Sequence, residues 1–233
     1  MIPYRDTVPC IHTPWVTWSL IVLNFGLFVF SLLLPQQAQM HLFYLYGLVP
    51  ARYAHPEWAA WVGLPAGDYT PFITSMFLHG SWLHLVTNTW LLWIFGDNIE
   101  DCMGPVRYLA FYLICGAVAG ALQVYFNPNA TVPAIGASGG LAGIMGAFFF
   151  LYPYARIVIW VFFMPLFIQV PAIGFLGVWV IIQLYKATVE LASGGAAYAD
   201  VAWWGHLGGF IAGMLSYRLF LRPQSKPRSD EPA

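Results

Sequence analysis

Charge is scarce in this sequence. Asp, Glu, Lys and Arg together make up 8% of its 233 residues, about a third of what a soluble domain carries. That excludes a globular surface solvated on all sides. Hydrophobic residues make up 60% and the mean hydropathy is +0.68, so the chain reads as an integral membrane protein whose length is counted in spans. The nine basic residues are too few and too scattered to track a phosphate backbone, which removes nucleic acid from the partners. Cysteine is equally sparse. Cys10, Cys102 and Cys115 show no C-x-x-C spacing; no disulfide framework is expected, and Cys102 and Cys115 read as packing residues. Neither H-E-x-x-H nor any clustered ligand set is present, so no metal and no cofactor are expected. The first apolar run lacks a small-residue cleavage site and is read as a span that stays. An internal repeat is missing too, which counts against a small transporter.

What is present is a series of apolar runs near the 20-residue length of a spanning helix. Six spans are read at about Trp15–Leu34, Ser81–Ile99, Arg107–Phe126, Ser138–Tyr152, Pro171–Leu191 and Ala202–Phe220. The long connection over residues 35–70 is aromatic, Pro-punctuated and too broken to span, so it is expected to lie in the membrane interface. From Ile157 to Leu191 the chain is apolar for too long for one helix. An interfacial or re-entrant piece is expected before Pro171, and the fifth span after it. The expected architecture is all-α. Residues 1–14 form a cytoplasmic segment, 15–221 a six-helix membrane domain, and 222–233 a polar, disordered tail. Arg5, Arg107, Arg156, Arg218, Arg222, Lys226 and Arg228 all fall on the terminal side, with only Arg52 and Lys186 near the other. The positive-inside bias then makes both termini cytoplasmic.

The stretch "PAIGASGGLAGIMGAF", Pro133 to Phe148, holds a single hydroxyl, Ser138. It reads as G-x-S-x-G, the nucleophile elbow of soluble hydrolases, but no strand precedes it. It opens a helix entered from the outer side. Free N–H groups at a helix start favour a developing oxyanion, and Gly136 permits a tight entry. The bland alternative is packing: Ser138, Ala142 and Gly146 recur every four residues, as do Gly139, Gly143 and Ala147, a small-xxx-small stripe. The readings are compatible, because a close helix contact brings a base nearby. "WWGHLGGFIAG" supplies one. His206 is the last histidine, and Gly205, Gly209 and Gly213 repeat every four residues around it. An ionisable residue inside a span is a functional candidate by default. In "FLHGSWLHLVTN", His84 and Asn88 share a helix face about 6 Å apart along the axis. Both can donate to an oxyanion, or else glue helices together. His79, just before that span, would brace the loop. Asp200 reads as a loop charge or helix N-cap.

These motifs, "HGSWLHLVTN", "GASGG" and "GHLGG", in this order and on three spans, resemble the rhomboid family of intramembrane serine proteases, in its bacterial-type form with a six-helix core. The resemblance runs from about Pro71 to Gly213. It implies that Ser138 attacks the scissile carbonyl and that His206 acts as base and then acid. His84 and Asn88 would line the oxyanion hole with the Ser138 N–H. The fifth span would gate lateral entry. Substrates would be transmembrane segments of other membrane proteins in the lipid bilayer, cut near the outer surface of a bacterial-type inner (plasma) membrane. The alternative is a non-catalytic relative that binds transmembrane clients. One departure stands out: some members carry a Tyr four residues after the serine to stack on the histidine, and here that position is Ala142. His206 must be held another way, for instance by an aromatic from elsewhere. A neutral base also requires activity to rise as pH passes upward through about 6 to 7.

Overall fold

A computed structural model describes residues 2–65, 67–161, 166–192 and 201–223. Strand β1 (Ile2–Asp6) is followed by helix α1 (Trp15–Leu32). Four short helices fill the long connection: α2 (Gln36–Tyr46), α3 (Ala51–Ala54), α4 (Pro56–Trp61) and α5 (Pro71–Thr74), the last leading into a 3₁₀ turn at Ser75–Phe77. Then come α6 (Trp82–Met103), α7 (Pro105–Phe126) and α8 (Ser138–Leu151), a hairpin of β2 (Arg156–Val161) and β3 (Leu166–Pro171), α9 (Ala172–Ala192) and α10 (Trp203–Phe220). Helices α1, α7 and α9 are long and apolar enough to cross a membrane by length and composition. This is an integral membrane protein, largely helical.

The helix boundaries follow local chemistry. Ser81 caps α6, its Oγ accepting from His84 N at 3.2 Å. Pro105 opens α7, where a missing N–H costs nothing. Helix α1 follows Pro14 with no local side-chain cap. Its cap comes from far away in sequence: the Glu100 carboxylate accepts from Val16 N (2.9 Å), Thr17 N (2.8 Å) and Thr17 Oγ (2.8 Å). With Thr17 and Glu100 both buried, the distant carboxylate takes the place of a local cap.

Helix α8 is the axis of the bundle. It is buried without interruption from Gly140 to Phe148, as expected of a helix that is apolar all round. The predicted small-residue seam is there. A Cβ at Gly209 would collide with the Gly139 carbonyl oxygen, one at Gly213 with the Gly143 carbonyl oxygen, and one at Gly146 with the Phe210 carbonyl oxygen. The pairing of 209 with 139 and 213 with 143 shows that α8 and α10 run parallel. Glycine is required at these positions because the backbones touch.

One feature departs from the expected all-α architecture. The stretch before Pro171, expected as an interfacial or re-entrant piece, is extended rather than helical. It is the antiparallel β2–β3 hairpin, in register from Arg156↔Pro171 to Val161↔Leu166, and β1 of the N-terminal segment adds to its other edge. Runs such as "RIVIWV" are β-branched and aromatic, which suits a strand. The helical bundle therefore carries one small sheet. The connection over residues 35–70 is a folded unit around Arg52, which is fully buried. Its guanidinium donates to Pro65 O (2.8 Å), Leu45 O (3.2 Å) and Asp68 Oδ2 (2.9 Å). Asp200 and the tail from residue 224 lie outside the described residues.

Candidate active site

Helices α6, α8 and α10 begin at the same end of the bundle, and each start carries predicted site residues. Ser138 is the first residue of α8, beside its free N–H groups. His206 is the fourth residue of α10. Both line one cavity of ≈ 40 Å³, together with Ser75, Gly136, Gly139 and Gly205. That volume holds at least one water. The start of α10 is fixed from α7, where Gln123 Oε1 accepts from Gly205 N at 3.1 Å.

The chain approaches Ser138 through Gly136, whose φ of +129° favours glycine. Its N–H donates to Ser75 O at 2.9 Å. Just upstream, Leu48 and Ala134 exchange two backbone bonds, tying this approach to the folded outer connection. A Cβ at Gly136 would lie 2.7 Å from His84 Nε2 and 3.6 Å from Asn88 Nδ2. The absent side chain thus lets the backbone two residues before Ser138 lie against both predicted donors. His79 meets His84 edge-on, with ring centroids 5.1 Å apart.

Polar atoms here are left free. Asn88 is 4% exposed, yet its Nδ2 has no hydrogen-bond partner. Neither ring nitrogen of the buried His79 finds a partner of good geometry. Unpaired buried donors are rare because each costs about 1–3 kcal/mol. Among the described residues no group of His, Cys, Asp and Glu gathers as a metal-ligand set.

His206 is held by contacts that sequence reasoning did not identify. Its Nδ1 lies 2.8 Å from Gln183 Oε1 on α9. An amide oxygen only accepts, so Nδ1 carries the proton and Nε2 keeps a lone pair. Trp203 and Trp179 flank the ring at centroid distances of 5.9 and 6.0 Å. These aromatics from elsewhere stand where Ala142 offers no ring. The bond of His206 runs to Gln183 rather than to Ser138, so the serine and histidine are joined by their shared cavity and not by a formed hydrogen bond. Such bonds are often loose before substrate arrives. A signal for Gln183 did exist: an amide inside an apolar span needs a partner.

The rhomboid domain model matches residues 66–223. Rhomboid protein 1, mitochondrial, of Saccharomyces cerevisiae is 33% identical over 150 residues, which are 61% of this chain and 39% of that protein. The presenilin-associated rhomboid-like protein, mitochondrial, of Homo sapiens is 31% identical over 101 residues, 42% of this chain and 26% of that protein. The rhomboid protease GluP of Bacillus subtilis is 33% identical over 85 residues, 36% of this chain and 16% of that protein. The matched segments thus span well under half the length of these relatives.

Proposed function

From the premise that this chain belongs to the rhomboid family, we propose that it is an intramembrane serine endopeptidase using a Ser138–His206 dyad. One observation carries the reading. Ser138 and His206 open onto one cavity at the meeting of two glycine faces, and Asn88 Nδ2 stands buried and unpartnered beside the same entry. Buried amide donors are seldom left unpaired, and one that faces a transient oxyanion gains its partner only during the reaction.

In this mechanism His206 Nε2 takes the Ser138 hydroxyl proton as Oγ bonds to the scissile carbonyl carbon. Asn88 Nδ2, His84 and the Ser138 N–H donate to the oxyanion. The imidazolium then gives its proton to the leaving amine as the C–N bond breaks, and water releases the acyl group by the reverse sequence. The substrates are transmembrane segments of other membrane proteins, delivered from the bilayer as extended chain, because a helix hides its carbonyls. Six helices, α1, α6, α7, α8, α9 and α10, cross the membrane, with the site toward the outer face and both termini cytoplasmic. The distribution of arginines supports that orientation: Arg107 donates to Leu221 O and Arg222 N to Cys102 O, gathering these cations at the end away from Ser138.

A fluorophosphonate probe tests the reading. Labelling should map to Ser138 and disappear in His206→Ala. A folded protein that never labels, and that retains transmembrane clients uncut, would support the binding-only alternative.

A further inference from the structure

We propose that Gln183 of α9 is a positioning residue for the dyad: it selects the His206 tautomer with its lone pair on Nε2, and it does so only while α9 is seated on α10. The inference rests on the reading of His206 as the base.

The geometry is specific. The Gln183 amide oxygen lies 2.8 Å from His206 Nδ1, and the residue is 5% exposed. Trp179, one turn earlier on the same face, flanks both His206 and Phe210 of α10. A neutral imidazole can carry its proton on either nitrogen, and the partner of one nitrogen decides the state of the other. With the proton on Nε2 the ring could not accept from a serine at that position, and a wrong tautomer is among the costliest faults of such sites.

Gln183 also sits on a helix with little hold on the bundle. Only 22% of the most apolar window of α9 is buried, against 39% for α7. Its buried side chains form a single stripe, Ala172, Leu176, Gln183, Ala187 and Glu190, while Val178, Ile181 and Leu184 are exposed on the other faces. Any outward displacement of α9 stretches the one polar bond that sets the base. Seating of α9 against α10 and readiness of His206 are therefore linked.

The test uses the full chain in liposomes, with a model transmembrane segment bearing a small residue near its outer end. ¹⁵N spectra of ring-labelled histidine, with His206 assigned by loss of its signal in His206→Asn, should show the Nδ1–H form dominant in the wild type. Gln183→Met, similar in shape but without an acceptor, should mix the tautomers and lower kcat roughly tenfold, the worth of one neutral hydrogen bond, with KM unchanged. Gln183→Glu should restore the tautomer and move the acid limb of the pH–kcat profile to higher pH, because a carboxylate favours imidazolium. A dominant Nε2–H form in the wild type would overturn the inference, as would wild-type kcat and tautomer in Gln183→Met. Should Gln183→Met not fold, the wild-type spectrum and the Glu profile still decide. Cleavage persisting in Ser138→Ala would instead sink the dyad itself, whatever the tautomer.

Discussion

At the end of the bundle where α6 stops and α7 begins, Glu100 accepts three hydrogen bonds from the start of α1. Asp101 beside it accepts from Ile11 N (2.8 Å) and His12 N (3.0 Å), with His12 Nδ1 at 2.6 Å. Asn98 Oδ1 is the exception left unpaired there. At the opposite end, where α6, α8 and α10 begin, Asn88 Nδ2 is buried without a partner and neither nitrogen of His79 has one of good geometry. One end uses polar groups to fasten helices together. The other tolerates the cost of free donors around Ser138. Under the proposed function, that difference separates groups that fasten the fold from groups that meet the oxyanion. The glycine seam of α8 and α10 runs between the two ends and holds them in register.

The largest expected effect breaks both ends together. Gly209→Leu should abolish cleavage and broaden the elution profile, because its side chain would enter the backbone of Gly139. The same change at Gly177 of α9, where nothing lies within 4 Å, should leave both unchanged. Next, Asn88→Ala should lower kcat about a hundredfold, the usual cost of one oxyanion donor, while the melting temperature holds. Conversely, Glu100→Ala should cost about 2–3 kcal/mol of stability by stripping the cap from α1, measured as a lowered thermal midpoint, with kcat of the folded protein intact. If Asn88 affected only stability and Glu100 only turnover, the contrast between the ends would be wrong.

The smallest effect concerns β1. Burial pushes the Asp6 carboxyl up to about 6 from 3.8, against the opposing bonds from Val8 N and Asn98 Nδ2. The docked strand therefore favours the neutral acid. Its contribution is full below about 3.8, declines as pH rises through about 6, and stays flat above that. Amide exchange of β1, corrected for intrinsic rates, should show protection falling between pH 4 and 6.5 and not beyond.

Much of the fold was legible because small residues at four-residue spacing have one use in a bilayer. The repeats at Gly139, Gly143, Gly209 and Gly213 predicted the close contact that α8 and α10 make. The helix starts at Ser138 and Trp203 fall within a residue of the reading, because Pro133, Gly136 and the following apolar run bound them. The hairpin of β2 and β3 was not legible. A short apolar run has no polar face to reveal its period, and its partner β1 lies about 150 residues away, Pro3 opposite Ile159. The sequence carries no signal for the role of Glu100, because its partners, Val16 and Thr17, are met only in the fold. Gln183 is half legible: an amide inside an apolar span needs a partner, but only the fold brings His206 to it.

The central claim is that Ser138 and His206 together cleave a transmembrane substrate. The most direct test reconstitutes the wild type, Ser138→Ala and His206→Ala in liposomes, with a model segment carrying a small residue near its outer end, and follows the cleaved product. The account predicts cleavage by the wild type and none by either variant, with all three equally folded. Cleavage that survives in either variant, or a wild type that cuts no member of a substrate panel while still binding it, would contradict the account.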